Sequence, residues 1–308
     1  ASDVYKRHIK KVLNMDIRAM RYFLAIADTE NVSKAAEKLH MSQPPLTRQM
    51  KQLEEELNVE LFERESGRLH LTEAGYYFRE RAREIVELTD KLEEEMKSTF
   101  GTYDGNISIG SIETVGVSVL PTWITEFHSQ FPEITYNICY SNTEEILRKL
   151  DLGIFDIGIV REPFNSEKYE CIRLREESWI ACIHKDNPLA AGDADTLELA
   201  ELAKENLIAP GRNSHEEQIK NWFHMIGMKP HIVCLYTALG GGFELVRQGL
   251  GILLCPKSAA SRLQTPDIVC KEIINPKFTS CAVVVWKKYG ALSSSASRFA
   301  DYLKTKIE

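Results

Sequence analysis

No run in the 308-residue chain approaches the roughly 18 consecutive apolar residues of a membrane-spanning helix. Its opening stretch, "ASDVYKRHIKKVLN", lacks the apolar core and small-residue cleavage site of an export signal. A cytoplasmic protein with no membrane partner is therefore expected. Cysteine is scarce and unpatterned: there are seven, an odd number, with no CxxC, so neither a disulfide framework nor a zinc site is expected. Most lie in apolar runs such as "GILLCP" and "SCAVVVW", where the thiol acts as a small buried hydrophobe. GxSxG, HExxH, the P-loop and the dinucleotide fingerprint are all missing, and the eight histidines are scattered singly. An enzyme is not expected, and no cofactor or metal is implied.

What remains is a globular composition, 44% hydrophobic and 27% charged, in a chain long enough for two or three domains. The net charge of −7 is unevenly spread. Residues 1–71 carry 12 Lys+Arg against 11 Asp+Glu, whereas the remainder carries 26 against 34. Any nucleic-acid binding by the N-terminal part must then rest on where a few cations are placed, not on bulk charge.

From Ile17 onward, Met20, Phe23, Leu24 and Ala27 recur at helical spacing. Asn31 or Ser33 can cap a second helix, His40-Met41 forms a turn in which His40 packs, and Ser42 is a good N-cap for a third. Pro44 and Pro45 fall in that helix's first turn, where backbone N–H groups have no intrahelical partner, so they stiffen it without breaking it. Leu46, Met50, Leu53 and Leu57 make its core-facing stripe. "ERESGRLHLT" reads as a small hairpin wing flanked by Arg64 and Arg68. Thr72 caps a long helix to about Phe100, whose Phe78, Ala82, Ile85, Leu88, Leu92 and Met96 form a heptad-like seam suited to self-association. Beyond the linker "GTYDGN", short β-branched runs alternate with helices, which indicates an α/β unit with a largely parallel sheet.

A helix–turn–helix with a wing can place its third helix in the DNA major groove, N-terminal residues at the base edges. Gln43 and Gln49 suit adenine, Arg48 suits guanine, Thr47 and Ser33 suit phosphates, and Arg64 and Arg68 suit backbone or minor groove. The alternative is a helical hairpin whose polar residues are merely solvated.

The run A-A-x-x-L-x-x-S-Q-P-x-L-x-R-Q…L-E-x-x-L…L-F-x-R…L-T-x-A-G, Ala35 to Gly75, closely resembles the winged helix–turn–helix of LysR-type transcriptional regulators. The resemblance runs from Met15 almost to the end of the chain. It implies an α/β protein with an N-terminal winged helix–turn–helix and a two-lobed, periplasmic-binding-protein-like (type 2) effector domain. By motif position it points to Ser33, Gln43, Pro44, Pro45, Thr47, Arg48, Arg64 and Arg68 as the DNA-facing set. The implied domains are a DNA-binding part at 15–72, a dimerisation helix at 73–100 and an effector domain at 101–308, with 1–14 a native extension or a remnant of cloning. Lobe I would span about 106–174 plus 276–308, and lobe II about 175–275. Implied partners are double-stranded promoter DNA with an interrupted palindrome, a second copy through the long helix, a tetramer of such pairs, RNA polymerase, and a small-molecule effector.

The same resemblance puts the effector cleft between the lobes, at Ser111, Glu113, Thr114, Thr143, Arg161, Pro210, Arg212, Thr237 and Gly240. Arg161 and Arg212 would bind a carboxylate, with Thr114 and Thr143 donating hydroxyls; the alternative for each arginine is an ion pair between lobes or at the surface. Glu113 stands where a small polar residue is expected, and a carboxylate there favours an amine or hydroxyl on the ligand. The expected effector is a small organic acid or an amphoteric metabolite. Peroxide-sensing members keep their reactive cysteine pair near "LIAPGRNSHEEQIKNWF"; this chain has no cysteine from 183 to 233, so that chemistry is not expected. A solute-binding transport receptor shares the two-lobed fold but would have no use for a helix–turn–helix.

Overall fold

The computed structural model describes residues 15–65, 68–100, 105–211, 213–260, 265–289 and 292–307. The N-terminal extension 1–14, the wing tip Ser66-Gly67 and linker residues 101–104 lie outside them. The chain divides into two compact units, Ala1–Lys97 and Ser98–Glu308.

In the first unit, helix α1 (Ile17–Thr29) is capped by Asp16, whose carboxylate accepts the Ala19 amide at 2.7 Å. Asn31 caps α2 (Val32–Lys38) in the same way through the Lys34 amide. The turn then passes through His40 in the left-handed region, φ 53°, with its side chain exposed and not packed. Helix α3 (Gln43–Leu57) starts at Ser42, but the Ser42 hydroxyl makes no capping bond. The reason is chemical: an N-cap side chain accepts from the second or third helical N–H, and those positions are Pro44 and Pro45, which have none. Leu46, Met50 and Leu53 are buried against Phe23, Ile26, Ala35 and Ala36.

Strands β1 (Phe62–Glu65) and β2 (Arg68–Leu71) pair antiparallel as the wing. Glu54 of α3 fixes the approach to it, one carboxylate oxygen accepting the amides of Leu61 at 2.8 Å and Phe62 at 3.2 Å. Helix α4 (Glu73–Phe100) follows, with Thr72 accepting the Gly75 amide and donating to the Glu60 carbonyl. Phe78 packs edge-on against the fully buried Phe23. The apolar seam of α4 therefore divides: Phe78 and Ala82 join their own unit's core, while Ile85, Leu88, Leu92 and Met96 stay 39–57% exposed.

The second unit holds two sheets. Lobe I is a five-stranded sheet in the order β4-β3-β5-β14-β6: β3 (Asn106–Ser111), β4 (Thr135–Tyr140), β5 (Ile157–Arg161), β6 (Tyr169–Arg173) and β14 (Ala282–Lys287). Helices α5 (Glu113–Ser118), α6 (Leu120–Gln130), α7 (Thr143–Asp151) and the terminal α12 (Ser294–Ile307) accompany it. Ile107, Ile109, Trp123, Phe127, Ile157 and Phe299 are among its core. Lobe II is a seven-stranded sheet ordered β10-β9-β11-β7-β12-β8, with β13 (Thr279–Ser280) paired to β7. Its strands are β7 (Glu177–His184), β8 (Thr196–Glu198), β9 (Asn206–Pro210), β10 (His231–Tyr236), β11 (Ile252–Pro256) and β12 (Ile268–Ile274). Helices α8 (Leu199–Leu202), α9 (Asn213–Met225), α10 (Leu239–Arg247) and α11 (Lys257–Ala260) belong with it.

Strand β7 shows why both faces of this sheet are apolar. Trp179, Ala181 and Ile183 enter one core, while Ile180 and Cys182 enter another, as the two-residue period of a strand requires. The chain runs from lobe I into lobe II after β6 and returns at β14, so two crossings join them. The cysteines are less uniformly buried than their apolar settings predict. Cys182, Cys255 and Cys281 are buried, but Cys171 and Cys270 are exposed, and all seven are free thiols. Cys182 Sγ lies 3.4 Å from Cys270 Sγ and 3.7 Å from Cys255 Sγ across neighbouring strands.

Candidate functional site

Two places gather the candidate side chains, one in each unit. In the first, an open depression runs along Gln43, Pro44, Thr47, Arg48, Lys51, Gln52 and Glu55, the side of α3 opposite its buried stripe. Arg48 is exposed and has no ion-pair or hydrogen-bond partner among the described residues. Gln43 is oriented by Ser33, whose hydroxyl donates to Gln43 Oε1 at 3.2 Å, and Thr47 donates to the Gln43 carbonyl. Ser33, Gln43, Pro44, Thr47 and Arg48 thus gather at the N-terminal end of α3, with Pro45 exposed beside them. Gln49, proposed above for adenine, is half-buried and does not line the depression. Arg64 stands exposed on the wing at the position paired with Leu69, and Arg68 opens β2 opposite Glu65.

The second place is the cleft between the lobes of the second unit. Strands β3, β5, β9, β10 and β11 all end there, which is where open α/β sheets bind ligands. The cavity, about 50 Å³, is lined by Ile112, Glu113, Thr114, Arg161, Trp179, Pro210, Tyr236, Thr237, Leu239 and Pro256. Arg161, the last residue of β5, is 5% exposed and spends its guanidinium on the protein itself. It donates to Ser280 Oγ at 2.6 Å, to Thr114 Oγ1 at 2.9 Å and to Glu177 Oε1 at 2.9 Å. The second oxygen of Glu177 accepts the Ser258 amide at 2.6 Å. Arg161 is therefore an ion pair bridging lobe I to the start of lobe II. Across the cleft, Glu113 Oε2 accepts the amide of Leu239 at 3.0 Å, the first residue of α10.

Of the expected cleft residues, Glu113, Thr114, Arg161, Pro210 and Thr237 line the cavity. Ser111 does not: it is fully buried, and its hydroxyl donates to the Ile112 carbonyl. Thr143 does not either; its hydroxyl accepts the Arg161 amide at 3.1 Å and so positions that residue's backbone. Gly240 lies off the cavity, and a Cβ there would meet nothing, so no close approach requires a glycine. Arg212 lies outside the described residues. Sequence reasoning missed Trp179, Tyr236, Leu239 and Pro256, and also Glu177 and Ser280 as partners of Arg161. Trp179 near the start of β7 and Pro256 at the end of β11 belong to apolar strands whose residues read as ordinary core; Glu177 carried no signal.

A winged helix–turn–helix and a two-lobed α/β unit with a cleft at its strand ends together define a DNA-binding regulator with a ligand-type second domain. Residues 17–76 match the family model described as "Bacterial regulatory helix-turn-helix protein, lysR family", and residues 101–308 match the "LysR substrate binding domain". The chain belongs to the LysR family of transcriptional regulators. It is 28% identical over 292 residues to the HTH-type transcriptional regulator BsdA of Bacillus subtilis, covering 93% of this chain and 99% of that one. It is 28% identical over 297 residues to the DNA-binding transcriptional dual regulator OxyR of Escherichia coli, covering 96% of each. Its fold matches the crystal structure of CbnR, a LysR family transcriptional regulator, with a TM-score of 0.77, 26% identity, and coverage of 96% and 100%. Full-length CbnR has also been solved with its target DNA, and that structure matches equally well, TM-score 0.77 at 25% identity. These relatives are regulators, not enzymes.

Proposed function

We propose that this LysR-family regulator reads an interrupted palindrome in promoter DNA through the N-terminal end of α3, and that a small metabolite in the interlobe cleft modulates its action on RNA polymerase in the cytoplasm. The observation that carries the DNA part is the unpartnered Arg48 beside Gln43 and Thr47, at the end of the helix that such motifs insert into the major groove. Similarity to CbnR, which was solved on its target DNA, supports it. Exposure of Ile85, Leu88, Leu92 and Met96 on one helix supports a dimer through α4, since a monomer gains nothing from such a seam. A tetramer of two such dimers completes the reading, with no cofactor beyond the effector.

For the effector, the geometry favours an amphoteric metabolite over a simple organic acid. A free carboxylate entering this cleft finds Arg161 already neutralised by Glu177. The cleft walls, Trp179, Tyr236, Pro210 and Pro256, suit a small apolar body. Similarity to OxyR is not matched by a cysteine between 183 and 233, so peroxide is not the proposed signal.

The DNA reading is tested with an operator selected from a random duplex library. Arg48→Ala should weaken that complex by about 1–3 kcal/mol and relax discrimination at one base pair, as measured by fluorescence anisotropy at fixed salt. Unchanged affinity and unchanged preference would show that α3 does not dock as proposed.

A further inference from the structure

We infer that Glu113 is the receptor for the effector's amino group, making the cleft selective for ammonium-bearing ligands over simple carboxylates. The inference rests on the cleft being the effector site. It begins from the two positions where an anion would ordinarily be held. One is the N-terminus of α10, whose cap residue is Ala238, a side chain with nothing to offer the free amides. The carboxylate of Glu113 crosses from the other lobe to accept the Leu239 amide, so this anion position is already taken. The other is Arg161, held by Glu177, Thr114 and Ser280. Among the described residues, no other Lys, Arg or His lines the cavity.

Glu113 and Arg161 are the charged groups on the cavity wall, and Glu177, paired to Arg161 from outside the lining, leaves the three-group cluster with a balance of one negative charge. Glu113 Oε1 has no hydrogen-bond partner among the described residues, although the side chain is half-buried and lines the cavity. A third carboxylate brought by a ligand would sit among like charges in a poorly solvated space. An ammonium would complete the balance: Glu113 Oε1 accepts from it, and two aromatic residues, Trp179 and Tyr236, line the same cavity. An amphoteric ligand can do more. Its own carboxylate can take over the Leu239 amide as Glu113 turns to the ammonium, so neither helix terminus nor side chain is left unpaired.

The test uses the full chain and thermal-shift titration with the protein amino acids. Each compound that stabilises it is then compared with its deaminated acid and its decarboxylated amine. Glu113→Gln is the variant of choice, because the amide oxygen can still accept from Leu239 while the charge is gone. Glu113→Ser serves as a second variant that empties the helix terminus. At least one amino acid should raise the midpoint of the wild-type chain, and its deaminated acid should not. Glu113→Gln should bind that amino acid at least about tenfold more weakly, and Glu113→Ser should begin to bind the deaminated acid. A deaminated acid that binds the wild-type chain as tightly as the amino acid would overturn the inference alone. So would full affinity of Glu113→Gln for the amino acid. If no compound shifts any of the three chains, the small-metabolite reading of the cleft fails, and this inference falls with it.

Discussion

Replacing Glu177 by glutamine asks how much the Arg161 bridge contributes to the second unit. Arg161 and Glu177 make a 2.9 Å ion pair whose side chains are only 4% and 16% exposed. Glutamine has nearly the same shape but carries no charge, so the Arg161 guanidinium would be left buried with only neutral acceptors, Thr114 and Ser280. One of the two Glu177 oxygens also becomes an NH₂ group. It would then face either Arg161 or the Ser258 amide, donor against donor. Removing one partner of a buried pair costs about 3–5 kcal/mol, because it leaves an uncompensated charge. In a domain of this size, 1 kcal/mol shifts the melting midpoint by roughly 2–4 °C, so a fall of roughly 6–20 °C follows.

The molecule supplies its own control. Arg173 and Glu162 form an Arg–Glu pair that is even shorter, 2.7 Å, but its side chains are 60% and 38% exposed. Solvent screening reduces such a pair to little, and Glu162→Gln should leave the midpoint essentially where it was. Calorimetry on both variants of the full chain, following the transition of the second unit, separates burial from distance. Equal shifts in the two variants would refute the argument that burial decides the value of the Arg161 bridge.

Gly75→Ala tests a different point. Helix propensity alone predicts a gain of about 1 kcal/mol inside α4. The structure predicts the opposite sign: a Cβ at Gly75 would stand 2.1 Å from the Leu61 carbonyl oxygen, forcing α4 away from the wing. A loss of about 1–3 kcal/mol from the first unit, read by urea denaturation, is the expected result, and stabilisation would show that the contact yields freely. Leu92→Glu, at a position 57% exposed, should leave the fold of its own chain intact. It should nevertheless lower the mass seen by light scattering, because a carboxylate would be buried at the paired seam; an unchanged mass would remove α4 as the dimer contact.

The sequence pattern reached the elements more fully than the contacts. Leu46, Met50 and Leu53 could be read as a buried stripe because helical period and burial coincide there. The capping by Asn31 and Thr72 was legible because such caps act within three residues. Ser42 does stand at the N-cap, as its residue type suggests, but the two prolines that follow deny its hydroxyl a donor. The long seam of α4 was read as one surface, yet Phe78 and Ala82 are claimed by Phe23 and its neighbours, a tertiary preference that periodicity cannot register. In the cleft, Arg161 stood out at a strand end, but Glu177 is 16 residues away beyond a crossing between lobes. Nothing local marks it as a partner. Ser111 and Thr143 stand at the ends of β3 and α7, where a cleft residue is expected, but their hydroxyls are turned on the backbone, as readily happens near a strand end.

The two bridges, Arg161 to Glu177 and Glu113 to the Leu239 amide, also bear on how an effector could act. Both join the lobes through the protein's own groups, so a ligand that engages either of them would exchange interactions rather than simply add them. A charged hydrogen bond is worth about 1.5–3 kcal/mol, and replacing the Leu239 amide with a ligand ammonium on Glu113 exchanges one for another. The swap alone shifts no equilibrium; only differential affinity for two lobe arrangements does. That difference must come from the rest of the ligand, from its apolar body against Trp179, Tyr236, Pro210 and Pro256 and from what it returns to the α10 terminus. On the inference that Glu113 receives an amino group, such a cleft would select its particular ligand by the shape of the rest of the molecule.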